Sequence, residues 1–366
     1  MKLYVFFTFN TSLKDWFLNG SLDRELNYYE KLQKRGLEIF FITYGTDDSR
    51  FLKKDSPIKV ISIFDKKSNF KIINFFKSFL FVWKFSKYNQ GNIVIKSNQM
   101  KGSWLPLMIS KIYSKKMILR CGYEYYRFGL KNRNSGVNFI KYILSYLSYN
   151  FADKIVITSN YEKNFINKKF KIDKKKIALI PNYIDTSIFK KKNDKKSFDI
   201  IYVGRFERQK NLFFLINSIK ELKLKIILIG NGSLSNDVRE SLKNSDLSFK
   251  IIKRVKNNKL PEFYNKSHIF LNTSLYEGNP KSVLEAMACG LNIITTKYDG
   301  VGEIISNNFN GIITKYCHKE IKKNINYLLK NKNVYKKISN NAQKKIISKN
   351  CIEKILFLET KEILSL

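Results

Sequence analysis

Short apolar runs alternate with longer stretches of helical period along almost the whole chain. The runs at 3–9, 38–43, 59–63, 93–96, 117–120, 154–158 and 177–180 are too short for ordinary helices, and they read as strands. Most of the gaps between them are filled by helical patterns. This βα alternation predicts a parallel sheet covered by helices on both faces. A polar, Lys-rich stretch, KKKNDKKS at 190–197, then breaks the pattern and reads as a linker. The alternation resumes at 199–203, 225–229, 248–252, 269–271 and 292–295. The expected fold class is therefore α/β with two Rossmann-like domains, residues 1–190 and 191–345. Residues 346–366 are expected to form a C-terminal helix that packs back on the first domain. The length of 366 residues suits two cores, and no internal repeat of solenoid period is present.

Charge adds one question to this picture. The chain carries a net charge of +38, with 68 Lys and Arg against 30 Asp and Glu. Only ten of the basic residues are Arg, and the excess is spread evenly: 35 basic against 14 acidic residues up to Lys190, and 33 against 16 after it. A nucleic-acid binder concentrates such charge on one face and favours Arg forks, so a Lys-enriched solvated surface is the preferred reading and no nucleic-acid partner is expected. Attraction to an anionic membrane surface is the alternative. Its best candidate is IINFFKSFLFVWKF at 72–85, interrupted by Lys77 and Lys84. This stretch reads first as a helix packed on a sheet, and second as an aromatic, basic helix lying in a membrane interface. No run approaches the roughly 20 apolar residues of a spanning helix. The opening MKLYVFFTFN reads as a first strand, its apolar run being too short for a signal peptide. Cys121, Cys289, Cys317 and Cys351 form no CxxC pair, which suits a reducing cytoplasm. The expected location is cytoplasmic, with peripheral attachment to the inner membrane face as the extension of the second reading.

Candidate chemistry concentrates in SLYEGNPKSVLEAMACGLNIITT at 274–296. An apolar strand at 268–271 runs into a loop carrying Glu277 and then into a helix expected to hold Glu285 in its first turn. Such a helix N-terminus at the carboxyl edge of a parallel sheet presents unsatisfied amides, a ready anion site. Carboxylates suit sugar hydroxyls and amides suit phosphates, so the combination points to a sugar nucleotide. YVGRFERQKNL places Gly204, Arg205 and Lys210 after another strand, where Arg as a fork and Lys as a point charge suit a diphosphate. For Lys210 alone, a solvated Lys-rich loop is the simpler reading. LIGNGS at 228–233 is a further strand with a Gly-x-Gly turn. No Asp-x-Asp motif follows a candidate donor strand, and Asp47–Asp48 reads as a solvated turn. Catalysis without a metal or other cofactor is expected. Two distant histidines and no nucleophile elbow disfavour Ser-His-Asp and Cys-His chemistry.

The series ADKIVITSN, PNYIDTSIF, YVGRFERQKNL, LIGNGS and YEGNPKSVLEAMACG, in this order and at these separations, resembles the retaining nucleotide-sugar glycosyltransferases of family four. The resemblance is strongest over 152–314, and WFLNGSLDRELNYYEKLQKRG is similar to that family's Gly loop and first helix. It implies the GT-B fold, in which two Rossmann-like domains with parallel sheets face each other across a cleft. Glu277 and Glu285 match the family's E-x7-E motif. By resemblance, Glu285 grips the donor ribose, Arg205 and Lys210 neutralise the diphosphate, and Glu277 sits by the donor sugar. The amides after Gly278 hold sugar hydroxyls and β-phosphate; Pro280 lacks one, leaving Asn279, Lys281 and Ser282 as donors. Gly204 and Gly20 let backbone approach the diphosphate. The implied reaction transfers sugar from a UDP- or GDP-linked donor to a glycan or lipid-linked acceptor in lipopolysaccharide, capsule or exopolysaccharide synthesis. Configuration is retained, and the leaving phosphate helps to deprotonate the acceptor.

The chain departs from the pattern in places. The first domain lacks the family's usual His: the two present, His268 and His318, fall in the second, and His268 is assigned a structural role. Arg120, Tyr123 and Glu124 stand in the vacated neighbourhood and are the candidates for the acceptor side. Asn292 replaces a frequent Pro, a change that bears only on strand entry; Lys253 stands where a Gly is common in the base-binding turn, so nucleotide preference does not transfer. A sugar-nucleotide epimerase on the same scaffold and a non-catalytic glycan-binding protein are the other readings.

Overall fold

A computed structural model describes residues 1–130 and 135–366. The chain divides into two compact units, one of residues 1–181 with 356–366 and the other of residues 182–355. The passage between them thus falls at Pro181–Asn182, ahead of the boundary expected at 190. The expected linker lies inside the second unit: the Lys192 amide donates to Asn265 Oδ1 at 2.7 Å, and Lys196 Nζ donates to the carbonyls of Asn265 and Ser267 at 2.8 and 2.9 Å.

In the first unit the strands are β1 (Lys2–Phe6), β2 (Glu38–Thr43), β3 (Lys59–Ser62), β4 (Ile93–Ser97), β5 (Lys116–Cys121), β6 (Lys154–Ile157) and β7 (Ile177–Leu179). They form one sheet in the order β3-β2-β1-β4-β5-β6-β7, parallel throughout. Strands covered on both faces must be apolar on both faces, and Leu3 through Phe7 are all buried. One exception is Lys96 on the central strand β4, buried and paired with Glu359, which the final helix, Ile352–Leu364, supplies from the tail. Tyr28 donates to the same carboxylate, Lys96 donates to Tyr29 at 3.3 Å, and Arg120 approaches Glu359 at 3.4 Å. Burial by itself would raise the carboxyl pKa of Glu359, but the two cations hold it below its ordinary value. Residues 356–366 therefore join the first unit by an ion pair as well as by packing.

In the second unit β8 (Phe198–Val203), β9 (Lys225–Ile229), β10 (Ser248–Ile252), β11 (Ser267–Asn272), β12 (Asn292–Thr296) and β13 (Ile312–Thr314) form a parallel sheet in the order β10-β9-β8-β11-β12-β13. Its alternation is clean. Ile201, Ile227, Phe270 and Ile293 pack into one core, while their neighbours Ile200, Ile226, Ile269 and Ile294 pack into the other. Strand β13 was not among the sequence expectations, since three residues after Asn310–Gly311 carry too little pattern to stand out. No helix among the described residues is long and apolar enough to cross a membrane.

Candidate functional site

The strand order of the second unit reverses between β8 and β11: the chain runs from β8 outward to β9 and β10, then returns to β11 on the other side. Loops leaving the carboxyl ends of two strands at such a switch diverge and leave a crevice. The loop after β8 carries Gly204, Arg205 and Lys210; the loop after β11 carries Glu277, Gly278 and Asn279.

Hydrogen bonds to backbone carbonyls lock these loops together. The Leu275 amide donates to the Gln209 carbonyl at 2.9 Å, Gln209 Nε2 donates to the Tyr276 carbonyl at 2.7 Å, and Thr273 Oγ1 donates to the Lys210 and Asn211 carbonyls at 3.2 and 3.1 Å. Held this way, Lys210 Nζ forms an ion pair with Glu277 Oε1. Ser274 Oγ, 2.7 Å from the same carboxylate oxygen, adds a second donor. Glu277 is buried by these partners, whereas Arg205 is exposed. The glycines pack tightly behind: a Cβ on Gly204 would lie 2.7 Å from Tyr202 Oη, and one on Gly230 would lie 1.8 Å from the Gly204 carbonyl oxygen.

Glu285 stands apart from this pair. The helix following the loop, Lys281–Ala288, begins at Lys281 with Pro280 as N-cap, so Glu285 is in its second turn and not the first as expected. It is 3% exposed, with Oε1 accepting from Asn257 Nδ2 at 3.3 Å and Oε2 from Tyr264 Oη at 3.1 Å. Sequence reading missed both partners. Neither stands in a motif, and only the fold brings them to the helix. At the helix start, the first-turn amides of Lys281 and Ser282 have no intrahelical acceptor ahead of them. Asn279, expected to contact a donor, has its own partner: its Oδ1 and carbonyl accept from Asn182 N and Nδ2 at 3.1 and 2.5 Å. Lys281 Nζ lies 4.5 Å from the centre of the Tyr183 ring. Among the described residues no cluster of three or more His, Cys, Asp and Glu side chains could hold a metal ion.

His268 packs edge-on to Tyr335 with ring centres 5.8 Å apart, and burial lowers its pKa. His318 Nδ1 hydrogen-bonds Ser218 Oγ at 2.8 Å.

The remaining sequence candidates belong to the first unit. Gly20 has φ 77° between helices Leu13–Leu18 and Leu22–Gln33, a turn that favours glycine. Arg120 is half-buried toward Glu359, and Tyr123 is exposed, its ring 4.9 Å from Phe128. Glu124, grouped with these by sequence, is fully buried and caps helix Tyr125–Leu130: it accepts from the amides of Tyr126, at 3.2 Å, and Arg127, and from Tyr149 Oη at 3.1 Å. That use corrects its assignment to an acceptor surface. Beneath it Glu162 is buried too, its pKa pushed up to about 7 by loss of solvent. Asp48, expected in a solvated turn, is instead buried and accepts from the Leu13 amide at 2.8 Å, which corrects that reading.

Comparison with known proteins places this geometry among sugar-transfer folds. A family profile described as "Glycosyl transferases group 1" matches residues 184–345, and one described as "Glycosyltransferase Family 4" matches 26–188. The chain is 26% identical over 223 residues to the UDP-Gal:alpha-D-GlcNAc-diphosphoundecaprenol alpha-1,3-galactosyltransferase of Escherichia coli, an alignment covering 56% of this chain and 55% of that protein. It spans 62%, 40% and 55% of the length of three curated relatives it matches. In fold it is similar to the sucrose-phosphate synthase of Thermosynechococcus elongatus, with TM-score 0.82, 14% identity and coverage of 100% and 99%. It is also similar to Anabaena HepE in complex with UDP-glucose, with TM-score 0.77, 15% identity and coverage of 100% and 99%.

Proposed function

The chain belongs to the group 1, family four glycosyltransferases with the two-domain GT-B fold, and on that premise we propose that it transfers a sugar from a nucleotide-sugar donor to a glycan or lipid-linked acceptor, with retention of configuration and without a metal ion. The observation that carries this reading is the assembly at the β8–β11 switch point. Glu277 is paired with Lys210 there, Arg205 stands exposed on the adjoining loop, and Glu285 is buried along the helix that follows. Under this reading Glu285 accepts hydrogen bonds from the donor ribose, and the first-turn amides hold a phosphate. Arg205 and Lys210 stabilise the negative charge that grows on the diphosphate as the C1–O bond breaks, the task a divalent ion performs elsewhere. The acceptor oxygen bonds to C1 on the face the phosphate leaves, and its proton passes to the leaving phosphate oxygen. Glu277 positions the Lys210 ammonium and borders the sugar.

UDP is the first nucleotide to test, because the Escherichia coli relative is named for UDP-Gal and HepE was solved with UDP-glucose. A lipid-diphosphate acceptor follows the same relative's name and would bring the enzyme to the inner face of the cytoplasmic membrane. Calorimetry with a panel of UDP- and GDP-sugars tests the reading. At least one is expected to bind, and Glu285→Gln is expected to weaken it by roughly tenfold or more through the lost charge-assisted hydrogen bonds. Equal affinity in the variant would overturn the assignment.

A further inference from the structure

Two helices of the first unit are built with part of their polarity reversed, and a third lies between them. Helix Lys71–Lys84 turns Asn74 and Ser78 inward, where Asn74 Nδ2 donates to the Ser68 carbonyl at 2.8 Å and Ser78 Oγ donates to the Asn74 carbonyl at 2.6 Å. Its outward side carries Ile72, Phe76, Leu80 and Trp83, each more than 60% exposed. The spacing of four, four and three residues makes these one stripe along the helix. Helix Ser135–Phe151 repeats the arrangement: Ser145 and Ser148 are buried, while Phe139 and Ile140 are 66% and 69% exposed. Helix Trp104–Ile112 joins them. The Tyr113 hydroxyl just after it donates to the Val82 carbonyl at 2.8 Å, and Ser103 just before it hydrogen-bonds Ser148 at 2.8 Å. All three follow crossovers that step the same way along the sheet, from β3 through β4 and β5 to β6, so right-handed connections put them on one side.

A core-packing helix buries its large apolar residues and exposes its polar ones. Phe81, Val82, Leu105, Ile109 and Tyr149 serve that purpose here, but the equally large Ile72, Phe76, Leu80, Trp83, Phe139 and Ile140 stand outside, where their size gains nothing for the unit's own core. Charge supplies the second observation. None of the three helices contains Asp or Glu; they carry Lys71, Lys77, Lys84, Lys111 and Lys141. Lys71, Lys77 and Lys111 are exposed, and Lys111 Nζ lies 5.8 Å from the centre of the exposed Phe151 ring, so basic and apolar groups interleave. Asp65, just upstream, is paired with Lys84 at 2.7 Å and is followed by exposed Lys66 and Lys67. An aromatic and aliphatic stripe flanked by lysines alone complements one kind of surface: apolar chains beneath anionic headgroups.

We propose that this helical layer is a membrane-docking face that inserts Ile72, Phe76, Leu80, Trp83, Phe139 and Ile140 into the interface of an anionic bilayer while its lysines meet the headgroups. The proposal deepens the reading of a lipid-linked acceptor by naming the face that meets the lipid. Its test does not depend on sugar transfer.

Vesicles of phosphatidylcholine, and of phosphatidylcholine with phosphatidylglycerol in equal parts, are sedimented with the full chain. Binding to the anionic vesicles is expected, weaker by roughly tenfold or more with phosphatidylcholine alone, and weaker again by that order in Lys71→Gln/Lys77→Gln. The triple variant Phe76→Ser/Leu80→Ser/Trp83→Ser is expected to lose vesicle binding while keeping the thermal shift given by a nucleotide sugar, which reports a folded donor unit. Phosphatidylglycerol with brominated acyl chains is expected to quench wild-type Trp fluorescence, with most of the quenching lost in Trp83→Phe, a variant that leaves the fold intact. Lack of binding to anionic vesicles, equal binding by the triple variant, or undiminished quenching in Trp83→Phe would overturn the proposal. So would a concentration-dependent dimer, abolished by the triple variant and indifferent to lipid, since a second copy would then be the occupant. Vesicle binding without any donor-induced thermal shift would instead count against the sugar-transfer reading alone.

Discussion

Lys210 and Glu277, 67 residues apart in sequence, form an ion pair at the carboxyl ends of adjacent strands, with Ser274 donating to the same carboxylate oxygen. Their separate assignments to phosphate and sugar therefore describe one unit. Before any donor arrives, the Lys210 charge is balanced by Glu277. Under the proposed function, a donor diphosphate would have to share it.

Removing one partner leaves the other buried without its counter-charge. Lys210→Met and Glu277→Gln are each expected to lower stability by about 1 to 3 kcal/mol, with the double variant costing clearly less than their sum. Chemical denaturation of the four proteins measures the cycle, and additivity would contradict the coupling. Glu277→Gln also frees Lys210, so donor diphosphate is expected to bind at least as tightly while kcat falls by roughly 10²-fold or more, a split that calorimetry and turnover measure separately.

Lys96 and Glu359 are both about 2% exposed at the side chain. Breaking a buried pair from one side costs about 3 to 5 kcal/mol, so Lys96→Met and Glu359→Gln are each expected to destabilise the first unit by that order. Limited proteolysis reads the result: the tail after Leu356 should become cleavable in the variants and resist in the wild type.

Two buried carboxylates give opposite pH dependences. Glu162 has its folded pKa raised to about 7 from an ordinary 4.5, so the folded state binds the extra proton and stability falls as pH rises through that window. Glu359 has its folded pKa lowered, so its contribution is present above the ordinary carboxyl range and is lost as pH falls through its folded pKa. Glu162→Gln is expected to flatten the loss between about pH 5 and pH 7, and Glu359→Gln to flatten the loss at lower pH. Urea denaturation of each variant across pH gives the slopes; slopes unchanged from wild type would contradict the assignment.

Gly230 sits where β9 gives way to the loop beside β8. A Cβ there would meet the Gly204 carbonyl oxygen at 1.8 Å, and backbone on backbone has little room to relax. Gly230→Ala is expected to cost about 3 kcal/mol or more and to abolish donor binding. Gly302, with nothing within 4 Å of its Cβ position and a helical place in Val301–Ile304, is the control: Gly302→Ala is expected to be neutral or to stabilise by up to about 1 kcal/mol. Thermal denaturation compares the two.

Much of the architecture was legible because period and burial coincide. In a parallel sheet covered on both sides, each strand is apolar on both faces, and runs such as Leu3–Phe7 and Ile226–Ile229 announce themselves in one dimension. The acids and cations of the second unit were legible for a related reason. Residues in the loops that follow a strand stand in a recognisable local frame, as Arg205, Lys210 and Glu277 do, and Glu285 follows at a fixed spacing on the helix after the loop. The expectations that shifted were those requiring a partner from elsewhere. Glu124 and Asp48 look like surface acids until the helices they cap are placed above them. Lys96 in a central strand makes sense only with Glu359, 263 residues on. The 72–85 stretch could be a packed or an interfacial helix on its pattern alone, because an amphipathic period says that a helix has two faces and not which one meets the sheet.

Sequence by itself therefore determined the βα order, the two sheets and the residue types gathered at the strand ends, since these follow from periodicity and turn chemistry within a few residues. Tertiary structure alone decided which charges cancel and which apolar face is left outside. Pairing and exposure depend on strand order in space, and strand order is fixed by crossovers whose outcome no local window contains.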